Sequence, residues 1–143
     1  MHRVADLRAY LSGSWRIDRR FDDRRHALDG TMLGEAQFSP EADALLYRER
    51  GAVSFGSYQG TAEQKHRYDF PDGASRASVF FDDGRPFHEL DLSNGTTLVS
   101  HACGDDLYQG RFIALTDERW ESRWTVVGPR KDQRISTRYT RIG

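Results

Sequence analysis

The stretch GSWRIDRRF, residues 13–21, decides the fold class because it sets the period of the side chains that follow. Its Trp15, Ile17, Arg19 and Phe21 occupy every second position, and the residues between them are serine, aspartate and arginine. A period of two residues is typical of a β-strand that buries one face and leaves the other in solvent. The sequence therefore predicts a strand here, with Trp15 on its buried face.

The residues on either side of this strand predict a short helix followed by many strands. Upstream, VADLRAYL (4–11) places Val4, Leu7 and Leu11 on one helical face, and Ser12-Gly13 ends the helix. Downstream, about ten short alternating runs follow one another with no crossover helix between them. The turn signals that separate them are Asp29-Gly30, Ser39-Pro40, Gly51, Pro71-Asp72-Gly73, Asp83-Gly84, Asn94-Gly95, Gly104-Asp105, Thr116-Asp117 and Gly128-Pro129.

This arrangement predicts an all-β fold, an antiparallel up-and-down β-barrel of about 8–10 strands with a short N-terminal helix. Consecutive hairpins without long connections favour the up-and-down barrel over a Greek-key sandwich. The length of 143 residues favours a single domain. We expect residues 1–12 to form the helix and residues 13–143 to form the barrel.

The composition narrows the class of function. Charged residues make up 30% of the chain but the net charge is only −1, so no basic surface for nucleic acid is expected. No apolar run is long enough for a membrane span, and the N-terminal segment lacks the apolar stretch of a secretion signal. The single cysteine, Cys103, excludes an internal disulfide and fits a reducing compartment. We therefore expect a cytoplasmic protein, and a homodimer stays open.

The faces predicted to point inward are aromatic with polar tips. In RWESRWTVV (119–127), Trp120 and Trp124 fall on the face opposite the arginines, and His66 shares an inward face with Tyr68. Burying unpaired polar groups costs about 1–3 kcal/mol each, so such faces imply either an internal hydrogen-bond network or a wet cavity. Because barrels of this size can hold one small ligand, we favour a cavity over a filled core.

We predict that a small amphipathic or planar molecule binds inside the barrel, against aromatic walls with a few polar anchors. The leading prediction includes no metal site and no catalytic residue. The predicted ligand-binding residues are Tyr47, His66, Tyr68, Arg85, His88, His101, Cys103, Tyr108, Trp120, Trp124 and Tyr139.

The stretch HACGDDLYQG (101–110) also allows an enzyme. On a strand, His101 and Cys103 point to the same face, so they form a candidate catalytic pair with Asp106 or Tyr108. The alternative chemistry is zinc, held by the same pair and Asp106. Structural zinc requires four ligands and the C-x-x-C spacing is absent, so we favour a turn between two strands. A filled barrel that serves as an interaction module is the third alternative.

Arg85 and His88 flank the hairpin turn predicted at Asp83-Gly84. We expect Arg85 to pair with Asp82 or Asp83 at the turn. The functional alternative is that its guanidinium clamps a ligand carboxylate at the mouth of the barrel.

Gly13-Ser14-Trp15, at the start of the first strand, resembles the G-x-W signature of the calycin superfamily, which includes the lipocalins and fatty-acid-binding proteins. The resemblance implies that Trp15 packs at the closed end of the barrel and that an arginine near the last strand lies across it. Arg138 and Arg141 are the candidates, and strand phase favours Arg141. Some calycin-like barrels bind haem through one histidine. The resemblance therefore leaves haem open as a cofactor, with His66, His88 and His101 as candidate ligands.

Nearly the whole chain is also similar to an uncharacterised bacterial family, a domain of unknown function with a lipocalin-like barrel. This resemblance implies the barrel fold and no established activity. The matching stretches are DLRAYLSGSWRIDR (6–19), FDDGRPFHELDL (81–92), HACGDDLYQGRF (101–112), WTVVGPRKD (124–132) and TRYTR (137–141).

Overall fold

With one exception, each strand of the protein pairs antiparallel with the strand that precedes it, so the sheet follows chain order around the barrel. The computed structural model describes all residues, 1–143. Its elements are α1 (Leu7–Leu11), β1 (Gly13–Asp23), β2 (Leu28–Glu41), β3 (Ala44–Phe55), β4 (Tyr58–Asp69), β5 (Arg76–Phe81), β6 (Pro86–Asp91), β7 (Thr96–Cys103), β8 (Asp106–Thr116), β9 (Arg119–Gly128) and β10 (Lys131–Arg141).

The sheet curls round on β1, which pairs with β2 along one edge and with β10 along the other. In the second ladder Trp15 lies opposite Arg141, and Asp23 lies opposite Gln133. The sheet ends at β6 and β7, which lie beside each other without a ladder between them. This nearly closed barrel of ten antiparallel strands confirms the predicted all-β, up-and-down fold.

Six of the predicted turn signals coincide with turns, but three lie inside strands. Asp29-Gly30 and Ser39-Pro40 belong to β2, and Gly51 belongs to β3. Gly34 of β2 lies directly opposite Gly51, and a side chain at Gly34 would collide with the carbonyl oxygen of Arg50. Glycine serves here to let two backbones approach closely, not to make a turn. The turns predicted at these three positions are therefore wrong.

The N-terminal helix is shorter than predicted. The Asp6 side chain accepts a hydrogen bond from a backbone N–H of the first turn at 2.9 Å, so the helix begins at Leu7. Val4 lies outside the helix, and its N–H donates to the carbonyl of Leu92 at 3.0 Å. Leu7 and Leu11 are fully buried, which holds α1 against the barrel. None of the chain's helical structure has the length and apolar character needed to cross a membrane.

Trp15 lies at the end of the barrel that α1 covers. Its side chain is fully buried, and its Nε1–H donates to the carbonyl of Leu11 at 2.8 Å. The guanidinium carbon of Arg141 lies 4.1 Å from the centroid of a Trp15 ring, within the range of a cation–π contact. Arg141 also donates to the carbonyls of Tyr10 and Ser12, at 2.6 and 3.1 Å. It therefore fastens the helix to β10 and closes this end.

Arg138, the other candidate for the position across Trp15, lies on the outer face of β10. It is exposed and its Nε lies 3.5 Å from a carboxylate oxygen of Glu121. Because side chains alternate across a strand, only residues in phase with Tyr139 and Arg141 point inward from β10. Arg138 is therefore not the arginine that crosses Trp15.

The opposite end of the barrel is its open end. In an up-and-down barrel every second connection lies at the same end. Five hairpin connections therefore meet at the open end, at residues 24–27, 56–57, 82–85, 104–105 and 129–130.

Candidate functional site

A cavity of about 210 Å³ lies inside the barrel. Buried side chains such as Trp120 and Tyr139 line it, and so does the exposed side chain of Gln64, so the cavity is open to solvent. For scale, a cavity of about 150 Å³ admits benzene, whereas sites for drug-sized ligands begin at about 300 Å³. The space therefore suits one small ring system.

Aromatic side chains form much of the cavity wall. Trp120 of β9 stacks on Tyr139 of β10, with ring centroids 3.7 Å apart and an interplanar angle of 7°. Trp124, four residues further along β9, stacks on Phe87 of β6 at 5.2 Å and 15°. Both tryptophans face inward because residues an even number of positions apart share a face of a strand. The wall is therefore largely apolar and aromatic.

A buried ion pair between Arg19 and Glu49 lies in the same wall. The two residues are 9% and 3% exposed, and both terminal nitrogens of Arg19 donate to the carboxylate, at 2.5 and 2.9 Å. The remaining N–H groups of Arg19 donate to Thr137, Met32 and Tyr139. All five donors of the guanidinium are therefore used. Although burial disfavours its charge, the bonds to Glu49 raise the pKa of Arg19.

Two tyrosine hydroxyls complete this network. Tyr47 donates to a carboxylate oxygen of Glu49 at 2.5 Å, and its oxygen lies 3.3 Å from the Tyr139 hydroxyl. Because Tyr47 uses its proton for Glu49, Tyr139 is the donor between the two phenols. Burial, above all, raises the pKa of both tyrosines, so both keep their protons at neutral pH.

His66 and His88 each present one free ring nitrogen. Nδ1 of His66 lies 3.2 Å from the carbonyl oxygen of Phe80, and Nδ1 of His88 lies 2.9 Å from that of Glu89. A carbonyl can only accept, so Nδ1 carries the proton and Nε2 of the neutral ring is an acceptor. Nε1 of Trp120 is the only side-chain nitrogen or oxygen that is both unpartnered and sealed from solvent. Both Nε2 atoms are therefore accessible.

Burial keeps these two imidazoles neutral. It lowers the pKa of His88 to about 4, and the neighbouring His66 and His101 rings act in the same direction. It lowers the pKa of His66 as well. Both rings therefore act as hydrogen-bond acceptors through Nε2 at neutral pH.

Acidification from pH 7.5 to 5.5 is expected to destabilise the protein through His88. In the unfolded chain this residue titrates near its ordinary pKa of about 6.5, whereas the folded protein resists protonation until about pH 4. The unfolded state therefore binds protons first, and stability present above pH 6.5 is lost on acidification. The loss at pH 5.5 is about 1.3 kcal/mol. Urea midpoints of wild type and His88→Phe at both pH values measure it, and an equal loss in both proteins would contradict the assignment.

Eight of the eleven predicted ligand-binding residues meet at the cavity. His101 does not line it, because its half-buried ring packs behind the wall against Phe81 and Phe87, each at 5.3 Å. The eight that line the cavity are Tyr47, His66, Tyr68, His88, Tyr108, Trp120, Trp124 and Tyr139.

Arg85 and Cys103 lie outside the cavity, contrary to the prediction. Arg85 is exposed on the β5–β6 hairpin, where its Nε donates to Asp83 at 2.7 Å, as a turn arginine would. Cys103 is exposed at the end of β7. Arg85 lies in the turn between β5 and β6, and Cys103 is the last residue of β7, so both side chains are at the hairpin ends rather than inside the barrel.

The stretch 101–110 forms two strand ends and the turn between them. Asp106 forms an ion pair with Lys131 at 3.2 Å, and Tyr108 lines the cavity. No group of three or more histidine, cysteine, aspartate or glutamate side chains is placed to hold a metal ion. No such ligand set supports the zinc alternative, and catalysis by the Cys103 thiol stays a prediction.

The Arg19–Glu49 pair is the main feature of the site that we did not predict. Arg19 alternates in phase with Trp15 and Ile17, and Glu49 alternates in phase with Tyr47. Each of these charged residues therefore falls on the inward-facing side of its strand, and this feature of the sequence could have predicted a buried ion pair. Phe87 and Phe112 also line the cavity, although they were not among the predicted ligand-binding residues.

Solved structures similar to this chain share its barrel. An S-type phycobiliprotein lyase, CPES, from Guillardia theta has a TM-score of 0.69 at 11% identity, covering 94% of this chain and 90% of that one. A redesigned β-barrel, mFAP1, bound to DFHBI, has a TM-score of 0.52 at 12% identity, with 95% and 99% covered. A protein of unknown function from the DUF3598 family of Nostoc punctiforme has a TM-score of 0.63 at 13% identity, with 99% and 51% covered. These likenesses show the fold.

Sequence comparison gives one match. No curated protein is similar to the chain by sequence. A family model does match, and it covers residues 11–141, from the last residue of α1 to the last residue of β10. The chain therefore belongs to the family of unknown function DUF6314.

Proposed function

We propose that the protein binds a small, planar and largely apolar molecule inside its barrel. The observation that carries the proposal is the cavity of about 210 Å³, which is open to solvent and walled by aromatic side chains. The stacked pairs Trp120–Tyr139 and Trp124–Phe87 place aromatic side chains around the cavity before a guest arrives, which lowers the cost of ordering the site. A barrel that acted only through its outer surface would have no need of such a space.

The similar structures are consistent with this proposal. The redesigned barrel mFAP1 is bound to the small molecule DFHBI, so a barrel of this architecture can accommodate a guest. The other supporting feature is the composition of the wall, which is mainly apolar with a few polar groups, as in most small-molecule sites.

Replacing Ser122 with phenylalanine is expected to abolish binding of benzofuran, a flat bicyclic probe. Ser122 is 3% exposed and lines the cavity, so an added phenyl ring occupies the space of the guest. Ser136→Phe is the matched control, because Ser136 is exposed on the outer face of the neighbouring strand β10. Calorimetric titration of the three proteins measures the effect.

Wild type and Ser136→Phe are expected to bind benzofuran alike. Two results would overturn the proposal: failure of wild type to bind both benzofuran and its N–H analogue indole, or equal binding of benzofuran by Ser122→Phe. Circular dichroism spectra of both variants show whether the barrel is intact.

Haem stays a prediction. The cavity lies below the size range of drug-sized sites, which favours a guest smaller than haem. Adding hemin and following the absorption spectrum tests it directly. Native mass spectrometry of freshly purified protein then identifies any co-purified ligand and shows whether the protein is a homodimer.

A further inference from the structure

The charges on the cavity wall are already paired with each other. Arg19 and Glu49 are the only arginine, lysine, aspartate or glutamate side chains that line the cavity. They neutralise each other, and the donors of Arg19 are all engaged. A charged guest would therefore lose its hydration without gaining an opposite charge to pair with, which is unfavourable.

The free polar groups on the wall include two fixed acceptors. His66 and His88 are each 9% exposed, and Nε2 of each is accessible and without a partner. An unprotonated imidazole nitrogen can only accept. The hydroxyls of Tyr68, Tyr108 and Ser122 and the amide of Gln64 adapt to a donor or an acceptor, whereas the indole N–H groups of Trp120 and Trp124 can only donate. Nε1 of Trp120 is sealed from solvent, so it is out of reach of a guest.

The backbone fixes the orientation of the His66 ring. Its Nδ1–H donates to the carbonyl of Phe80, which lies at a register shift between β5 and β6. The residue opposite Phe80 on β6 is Pro86, which has no N–H to offer to that carbonyl. The imidazole supplies a donor to that carbonyl, and its Nε2 is left free.

Aromatic rings surround both acceptors. His66 stacks on Phe87 at 5.5 Å and 28°, and His88 lies 5.2 Å from Phe112 and 5.5 Å from Trp124. A flat guest that packs against these rings therefore brings its edge within reach of an imidazole nitrogen.

From these observations we infer that the ligand is a neutral, flat ring system that carries an N–H or O–H donor, which Nε2 of His66 or His88 accepts. The inference rests on the proposed function and adds the chemical class of the guest to it. A site with buried acceptors discriminates against an analogue without the donor, because the acceptors then stay unpaired.

Three probes of similar shape test this inference. Indole carries an N–H donor, benzofuran has an oxygen in its place, and indole carboxylate adds a negative charge. Wild-type protein at pH 7.5 is expected to bind indole about tenfold more tightly than either of the other two, by calorimetric titration. In the double variant His66→Phe/His88→Phe, the preference for indole over benzofuran is expected to disappear, while benzofuran still binds.

The outcomes separate the inference from the proposed function. If wild type binds indole and benzofuran equally, the inference is overturned but cavity binding stands. The same holds if the double variant still prefers indole over benzofuran. Failure of wild type to bind any of the probes overturns both. If the double variant does not fold, ¹⁵N NMR of the histidines in wild type replaces it: the Nε2 resonance of His66 or His88 must shift with indole and stay in place with benzofuran.

Discussion

Replacing Glu49 with leucine is expected to lower the free energy of unfolding by about 3–5 kcal/mol. The substitution leaves the guanidinium of Arg19 buried, 9% exposed, without the carboxylate that takes two of its hydrogen bonds. It also removes the acceptor of the Tyr47 hydroxyl. The charge of Arg19 cannot be relieved by losing a proton, since the pKa of arginine lies far above neutral pH. Urea denaturation followed by circular dichroism measures the loss.

The double variant Arg19→Met/Glu49→Leu is the control. Removing both partners leaves no buried charge, and apolar side chains of similar size commonly replace such pairs at little or no cost. We therefore expect its stability to return to within about 1 kcal/mol of wild type. If Glu49→Leu alone cost less than about 1 kcal/mol, the ion pair would be solvated rather than buried.

Replacing Trp15 with alanine is expected to cost about 3–5 kcal/mol. Trp15 is fully buried, lies 6.1 Å from Trp120 in an edge-to-face arrangement and carries the guanidinium of Arg141 on its face. The substitution leaves a void where β1, β10 and α1 meet, and the Leu11 carbonyl loses its hydrogen bond. Chemical denaturation measures this loss. It is followed by circular dichroism rather than by fluorescence, because the substitution removes a tryptophan and so changes the emission itself.

Trp15→Phe and Trp124→Ala are the matched controls. Phenylalanine keeps a ring beneath Arg141, and Trp124 is only half-buried on the wall of an existing cavity. Both substitutions are expected to cost clearly less than Trp15→Ala. A Trp124→Ala cost equal to that of Trp15→Ala would mean that the closed end contributes no special stability.

The fold was predictable because its signals are local. Alternation along each strand and turn residues between strands need no knowledge of the partner strand. Gly84 and Gly95 have φ values of 90° and 84°, so they mark turns by a backbone conformation that favours glycine. Gly51 failed as a turn signal because its role is the close approach of Gly34 on another strand, which depends on register.

The site was predictable only in part because its chemistry depends on pairing across the barrel. Alternation placed His66 and Tyr68 on an inward face, and both line the cavity. The same alternation would place Tyr58 inward, yet it is 57% exposed, because β5 pairs with β4 only from His66 to Asp69. Likewise, the ion pair joins Arg19 of β1 to Glu49 of β3, and these two strands are not neighbours in the sheet. Alternation along either strand alone does not reveal this pairing.

The pairing of β1 with β10 has a consequence for synthesis on the ribosome. Every other ladder joins strands that follow each other in the chain, so those hairpins can form as the chain emerges. One edge of β1 stays unpaired until residues 131–141 have been made. Arg16, Asp18 and Arg20 place charges along this open edge, and such charges discourage edge-to-edge aggregation between nascent chains. The charged face of β1 thus protects the nascent chain from aggregation before β10 is made, and it faces solvent once the barrel is complete.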